Sequence, residues 1–526
     1  MTLSRAGWLL ACLSASFAAS YDQQSAREPK AIYEEALSDL QQARPQAAVN
    51  ILAPLIRSHP NDYNALTLMG MALAASGKTE ESIPYFENAL KTRPQYPAAL
   101  NGLAMSEMSL KRYQGAKAHF ETLLSIVPQS PGAHTSLAEI AFIQGRFEDA
   151  ISHFEAGDPV FRQDPRLVLE YARANISQNH ADKAIGALSN IPENSDAAFH
   201  FEAGSLLASV RAYEPAARQF ELALPSYSDK YAAGFNLVLA RVNTHQYAQA
   251  ISQGESLIAA GYRKAELYNL MSEAYEGSGN TKQAYDSLRT ATQIEPLEES
   301  NYLDLITLCL NHKNYDLAAE IAGIGLAKIP RSERLHVQLG VVRAMQTRFD
   351  QAREEFERAA KLAAEDSLPH VALALVAIQT NHANEAAQDL RDRVRKFPND
   401  FLALWFFAEA LNRSGAAPGS AEEREAIDAL QRSIRIEPNI SQSQELLGKL
   451  LAREGKFAEA AGHLERAVKL QPDNVAALYQ LAQVCSKNGE TARAKQLFAQ
   501  VGKIKSDDRE NFANNGLQQI LRAGKQ

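Results

Sequence analysis

A beat of 34 residues runs through this chain and constrains its fold more than any other feature. Aligned on one small residue per beat, the series reads Ala48, Ser82, Ala116, Ala150, Ala184, Ala216, Ala250, Ala284, Ala318, Ala352, Ala386, Ala426, Ala460 and Ala494; eleven of its thirteen intervals are 34 residues and the other two are 32 and 40. A fixed period of this length describes a stack of similar supersecondary units, each of which buries its apolar face only against its neighbours.

The period carries chemistry as well as length. Four residues after the marker stands Phe or Leu in twelve of the fourteen units, among them Leu52, Phe86, Phe120, Phe154, Phe220, Phe356, Leu464 and Phe498. Twelve residues before it lies a second small residue, such as Ala36, Gly70, Ala104, Gly204, Gly340 and Gly448, a column that only Val238 and Ile306 break. Two small residues, one on each helix of a pair, let the backbones approach, and the large residue fills what remains. Proline twelve residues after the marker, as at Pro60, Pro94, Pro398 and Pro472, ends the second helix. The polar residues that follow, in Pro60-Asn61-Asp62, Pro398-Asn399-Asp400 and Pro472-Asp473-Asn474, are caps for the next helix. Pro97, Pro131 and Pro165 suit the first helical position, where a missing N–H costs nothing.

These columns resemble the tetratricopeptide repeat family. The resemblance implies an all-α fold, a right-handed α-solenoid of about fourteen helix pairs whose first helices line a concave groove. The array is expected over 29–508, after a linker at 21–28 and before an amphipathic capping helix and tail at 509–526, with Phe512, Leu517, Ile520 and Leu521 on one face. Two irregularities interrupt it: a shortened joint at Asn190–Ser195, and an insert at 413–420, Arg413-Ser414-Gly415-Ala416-Ala417-Pro418-Gly419-Ser420. The insert has turn composition inside a helix hairpin and is expected to be a loose surface loop that proteases cut first.

Residues 1–20 read as a secretory signal peptide. Arg5 supplies a positive charge, Ala6 to Ala19 is apolar, and small residues cluster at Ala18-Ala19-Ser20. The stretch is too short to span a bilayer, and no other segment is apolar enough to be transmembrane. A competing reading is a lipobox at Leu9-Leu10-Ala11-Cys12, with lipidation of Cys12, although few apolar residues precede that cysteine and Leu10 stands where a smaller residue is usual. The expected location is outside the cytoplasm: periplasmic, secreted, or held at a membrane by a lipid anchor. Past the leader only Cys309 and Cys485 remain, both nine residues before a marker alanine and five units apart, hence buried thiols, not a disulfide.

The sequence shows no catalytic, cofactor or metal motif. Twelve histidines are scattered without His-Glu-x-x-His; Gly323-Ile324-Gly325 lacks a third glycine; the pairs Glu354-Glu355 and Glu422-Glu423 read as solvated helix faces. With 62 acidic against 54 basic residues and no basic stripe, nucleic acid is not an expected partner. The family's clamp for acidic peptide tails is absent: its positions carry, for example, Tyr33, Leu37, Leu68, Ala98 and Gly102, and of the asparagine column only Asn236 is asparagine. The positions expected on the groove are instead apolar: Phe201, Phe235, Leu239, Leu303, Val337, Val341, Val371, Leu375, Trp405 and Phe406. The function implied is a non-enzymatic scaffold that binds a protein or peptide segment, either as a free-standing exported protein or as an accessory subunit of an envelope machine for polysaccharide export or outer-membrane assembly.

Overall fold

The marker column is the core of the molecule. In a computed structural model that describes residues 27–507, all fourteen markers are 3% exposed or less. The leader, Cys12, most of the linker and the tail from 509 lie outside the described residues. Those residues form helix pairs with no strand among them, and the first helix, Arg27–Gln41, takes in two residues assigned to the linker.

The chain divides after Tyr262 into two compact units. The first holds seven antiparallel pairs, from Arg27–Gln41 with Pro45–Ser58 to Lys230–Asn243 with Tyr247–Ala259. The second holds seven more, from Ala265–Gly277 with Thr281–Ile294 to Val475–Lys487 with Thr491–Asp507. Within each unit a first (A) helix packs on its own second (B) helix and on the B helix before it, and most A helices also touch the next A helix.

The small-against-large columns meet as the sequence implies. A Cβ added to Gly70 would stand 2.8 Å from the Phe86 ring, and one added to Gly102, on the next A helix, 2.4 Å from the same ring. Phe86 is therefore the joint between two repeats. Gly204 under Phe220, Gly340 under Phe356 and Gly448 under Leu464 repeat the approach at 2.7, 2.5 and 2.6 Å. Asp62, Asp400 and Asn474 cap their helices, accepting from Ala65 N at 3.2 Å, Ala403 N at 2.9 Å and Ala477 N at 3.0 Å, and Pro97, Pro131 and Pro165 occupy first helical positions. The turn joining A to B carries one left-handed residue, glycine as at Gly145 (φ 72°) or a residue with a Cβ as at Lys111 (φ 60°), except in the twelfth repeat, whose insert carries two, Gly415 and Gly419. It closes the hairpin with bonds such as Arg112 N to Glu107 O at 2.8 Å.

The two irregular segments are more ordered than their composition suggests. The shortened joint follows a B helix of eight residues, Ala181–Leu188, and Ile191 plugs into the core beside it. A second short B helix, Phe147–Ala156, lies within a regular 34-residue interval; Phe161 in the segment after it is fully buried against Phe154 and Tyr171.

The insert corrects the expectation of a loose loop. Ser420 caps Ala421–Ile436 by accepting from Glu423 N at 3.1 Å, and Glu423 Oε2 accepts from Gly419 N at 2.6 Å. The Glu423 side chain, fully buried, also pairs with Arg453 Nε at 3.3 Å, and Arg453 donates to Ala416 O at 2.6 Å. The insert is thus bound at both ends to the next repeat's A helix. Trypsin is expected to cut after Arg413 no faster than at ordinary repeat turns in the native protein. In Arg453→Ala, which leaves Glu423 buried without its cation, that cut is expected to accelerate at least ~10-fold, because local opening is no longer opposed by the pair. Equal cleavage in the two proteins would show that the bridge does not hold the loop.

Candidate functional site

The ten apolar positions expected on the A-helix face separate into two classes. Leu303, Val337, Val341, Val371 and Phe406 are 7% exposed or less and belong to the core. Their assignment to a groove is corrected: neighbouring A helices close over these side chains, so they are walls between repeats. Phe201, Phe235, Leu239, Leu375 and Trp405 are half-buried and keep a face to solvent.

In the first unit, Phe201 lies parallel to Tyr227 with centroids 4.2 Å apart and a 10° interplanar angle, and Phe235 meets Tyr231 at 5.7 Å, which in turn meets Tyr262 at 5.4 Å. Tyr227 and Tyr262 come from the segments after B helices, and Tyr262 stands in the closing-proline column; a search of A-helix positions alone could not find them. In the second unit, Trp405 sits 4.4 Å from Phe406 and packs on the same core as half-buried Leu368, Leu375, Ile378 and Leu402. The valines of the two preceding repeats, Val337, Val341 and Val371, are buried and offer no surface beside Trp405.

The histidines are not scattered. Seven of the twelve occupy two fixed positions: His134, His200, His336 and His370 sixteen residues before the marker, near the start of an A helix, and His119, His153 and His463 three after it, on the facing B helix. His134 and His153 bring their Nδ1 atoms to 3.2 Å; His200 Nδ1 lies 2.7 Å from Gln219 Oε1, His336 Nδ1 2.6 Å from Glu355 Oε2, and His463 Nδ1 2.7 Å from Gln444 Oε1. The A-helix member also reaches the carbonyl that closes the preceding repeat: His134 Nε2 at 3.1 Å from Pro128 O, His336 Nε2 at 3.4 Å from Pro330 O, Gln444 Nε2 at 3.2 Å from Pro438 O, with Tyr302 Oη playing the part at 3.0 Å from Pro296 O. These are braces inside and between repeats, and they satisfy polar groups that packing would otherwise strand. Burial holds the His153 and His463 imidazoles below the usual histidine range. The carboxylate pairs need a matching correction: Glu355 braces His336 and Glu423 braces Arg453, both buried, while only Glu354 and Glu422 face solvent.

Cys309 and Cys485 are buried free thiols, and burial pushes the Cys309 thiol up to about 11, which leaves it unreactive at neutral pH. Among the described residues no His/Cys/Asp/Glu group is arranged to hold a metal ion, and no helix is long and apolar enough to cross a membrane. What the geometry offers is surface: half-buried aromatic and aliphatic side chains on rigid helices, suited to contact a partner chain.

Family models described as tetratricopeptide repeat match residues 33–97, 73–140, 107–168, 265–296 and 451–514. No curated protein matches the chain significantly in sequence. Among solved structures, yeast Tom70 is 17% identical, covering 82% of this chain and 96% of its own, with a TM-score of 0.41. The APC/C hetero-tetramer Cut9–Hcn1 is 11% identical over 87% and 96%, TM-score 0.35, and MamA 18% identical over 32% and 96%, TM-score 0.28.

Proposed function

The chain belongs to the tetratricopeptide repeat family, and from that premise we propose that it is an exported scaffold which holds another protein, or an extended segment of one, against its A helices. The observation that carries the reading is Trp405 itself, a half-buried aromatic on an A helix whose core also carries the half-buried Leu368, Leu375, Ile378 and Leu402. A rigid aromatic beside aliphatic side chains is the kind of anchor that gives a few residues most of a binding energy. Export rests on the charge, apolar core and small residues of 1–20.

Two measurements test the proposal. Mass spectrometry of the mature N-terminus is expected to find a start near Ala19 or Tyr21 in an extracytoplasmic fraction; a diacylated Cys12 turns the reading to a lipoprotein, and an intact Met1 removes export. Trp405→Ala is expected to weaken binding of the partner recovered with the native protein by about 2 kcal/mol, roughly 30-fold, with helix content unchanged. Loss of the surrounding repeats in that variant would make Trp405 a packing residue instead.

A further inference from the structure

The imidazole braces differ in which atoms meet, and the difference matters to a proton. In His200–Gln219, His336–Glu355 and Gln444–His463 an imidazole nitrogen faces an amide or carboxylate oxygen, at 2.7, 2.6 and 2.7 Å. That nitrogen carries its hydrogen in the neutral ring and in the imidazolium alike, so the bond survives protonation. His134–His153 instead sets nitrogen against nitrogen, Nδ1 to Nδ1 at 3.2 Å. His134 Nε2 lies 3.1 Å from Pro128 O, a group that only accepts, so Nε2 carries the hydrogen. In the neutral ring His134 Nδ1 is then the bare nitrogen, and His153 Nδ1 donates to it. One proton fits between the rings. With both rings charged, both Nδ1 atoms carry hydrogen and the bond is lost.

The carboxylates around the pair are already engaged. Burial and the His134 ring hold the His153 imidazole below the usual histidine range, and the other charges that act on it are Asp149, Arg146 and Glu121. Asp149 is paired with Arg146 at 2.5 Å, and Glu121, on the preceding B helix, with Lys117 at 3.5 Å. His119 on that same helix is taken by Glu107 at 2.8 Å. On the A helices of the fourth and fifth repeats, Arg166 holds Glu139 at 3.0 Å and Glu170 at 2.7 Å. The braced B helix is also short: Phe147–Ala156 has 10 residues where Tyr113–Ile126 before it has 14, so the pair is a larger share of what holds it.

We propose that His134 and His153 form a proton switch, in which a second proton parts the short B helix from its A helix and opens the fourth repeat while the other braced repeats stay closed. The switch does not depend on the scaffold reading; it adds a condition, mild acid, under which one joint of the array loosens. Its sign follows from proton linkage. The unfolded chain takes a proton on each ring at about pH 6.5, whereas the folded pair takes the second only at lower pH. This repeat therefore loses stability as the pH falls below that value, and not as it rises.

The test compares amide hydrogen exchange of the full chain, corrected for the intrinsic rate, at about pH 7 and about pH 4.5. Protection over Pro131–Ile143 and Phe147–Ala156 is expected to fall in acid at least ~10-fold further than over Ala197–Ser209 and Tyr213–Ala223, the helices braced by His200–Gln219. A fall no larger than in those control helices overturns the proposal. His153→Gln gives His134 an amide that can turn to donate or to accept, and is expected to remove the excess loss while keeping protection at neutral pH within ~3-fold. An excess loss that persists in this variant overturns the switch as well. The native protein supplies a second readout that needs no variant. The imidazole nitrogen chemical shifts of His134 and His153 are expected to record two proton uptakes at least about one pH unit apart. A single coincident uptake by both rings refutes the switch.

Discussion

Arg393→Ala is expected to destabilise the second unit by about 3–5 kcal/mol, the usual cost of removing one partner from a buried ion pair. Arg393 is 5% exposed at its side chain and Asp400 10%, with Nε 2.8 Å from Oδ2. The remaining guanidinium nitrogens donate to Ala364 O at 3.2 Å and Glu365 O at 2.9 Å, and the plane lies over the Phe397 ring at 4.8 Å. Asp400 also caps Phe401–Arg413 and accepts from Ser367 Oγ at 2.7 Å. One side chain thus joins the loop after the tenth repeat, its own B helix Ala383–Lys396 and the cap of the twelfth repeat. The alanine variant leaves a buried carboxylate and two carbonyls to find water. Arrays of this kind come apart in segments, so the loss is best read as hydrogen exchange across 364–404 and not as one melting point. Arg393→Lys keeps the charge but not the fork, and is expected to recover less than half of the loss. A change under about 1 kcal/mol would mean that water already replaces the bridge in the native protein.

Arg393 also marks where legibility ends. Features that recur on the beat were readable: the buried marker column, the ring-over-glycine contacts, the capping residues after proline. Each recurs because the same local geometry recurs. The bridges of Arg393 and of Glu423 with Arg453 occur once each, between residues whose spacing means nothing until the repeats are stacked. The brace histidines were on the beat and could have been found by aligning histidine against the marker instead of searching for metal-ligand spacings. The candidate site was half legible. Helical position tells which face a side chain leaves from. It does not tell how closely the next A helix approaches, and that distance separates buried Val337 and Val341 from half-buried Leu375 and Trp405. Tyr227 and Tyr262 were missed because they stand on inter-repeat segments.

The two repeats that break the small-residue column suggest a rule about volume. Where the A helix carries Val238 in place of a small residue, the B-helix position that elsewhere holds Phe or Leu is Gly254; where it carries Ile306, that position is Ala322. Val238, Ile306 and Ala322 are 0% exposed and Gly254 is buried. Ile306–Ala322 keeps the side-chain carbon count of an Ala–Leu pair and exchanges which helix supplies it, while Val238–Gly254 makes the same exchange with four carbons fewer than a Gly–Phe pair. Gly254→Phe alone is expected to cost about 3 kcal/mol or more, because the ring meets Val238 in space already filled. Val238→Gly alone is expected to cost about 3 kcal/mol, from the cavity and from a glycine inside a helix. The double variant Val238→Gly/Gly254→Phe recreates the residue types of the Gly340–Phe356 pair but brings four more side-chain carbons than the native pair, and is expected to recover about 1 kcal/mol of the summed loss. Hydrogen exchange over Lys230–Asn243 and Tyr247–Ala259 reads all three variants in the same segment. Strict additivity of the two single losses would mean that the coincidence of the two exceptions is not compensation, and that repeat seven closes by Leu257 over Gly234, where an added Cβ would stand 2.7 Å away, independently of this pair.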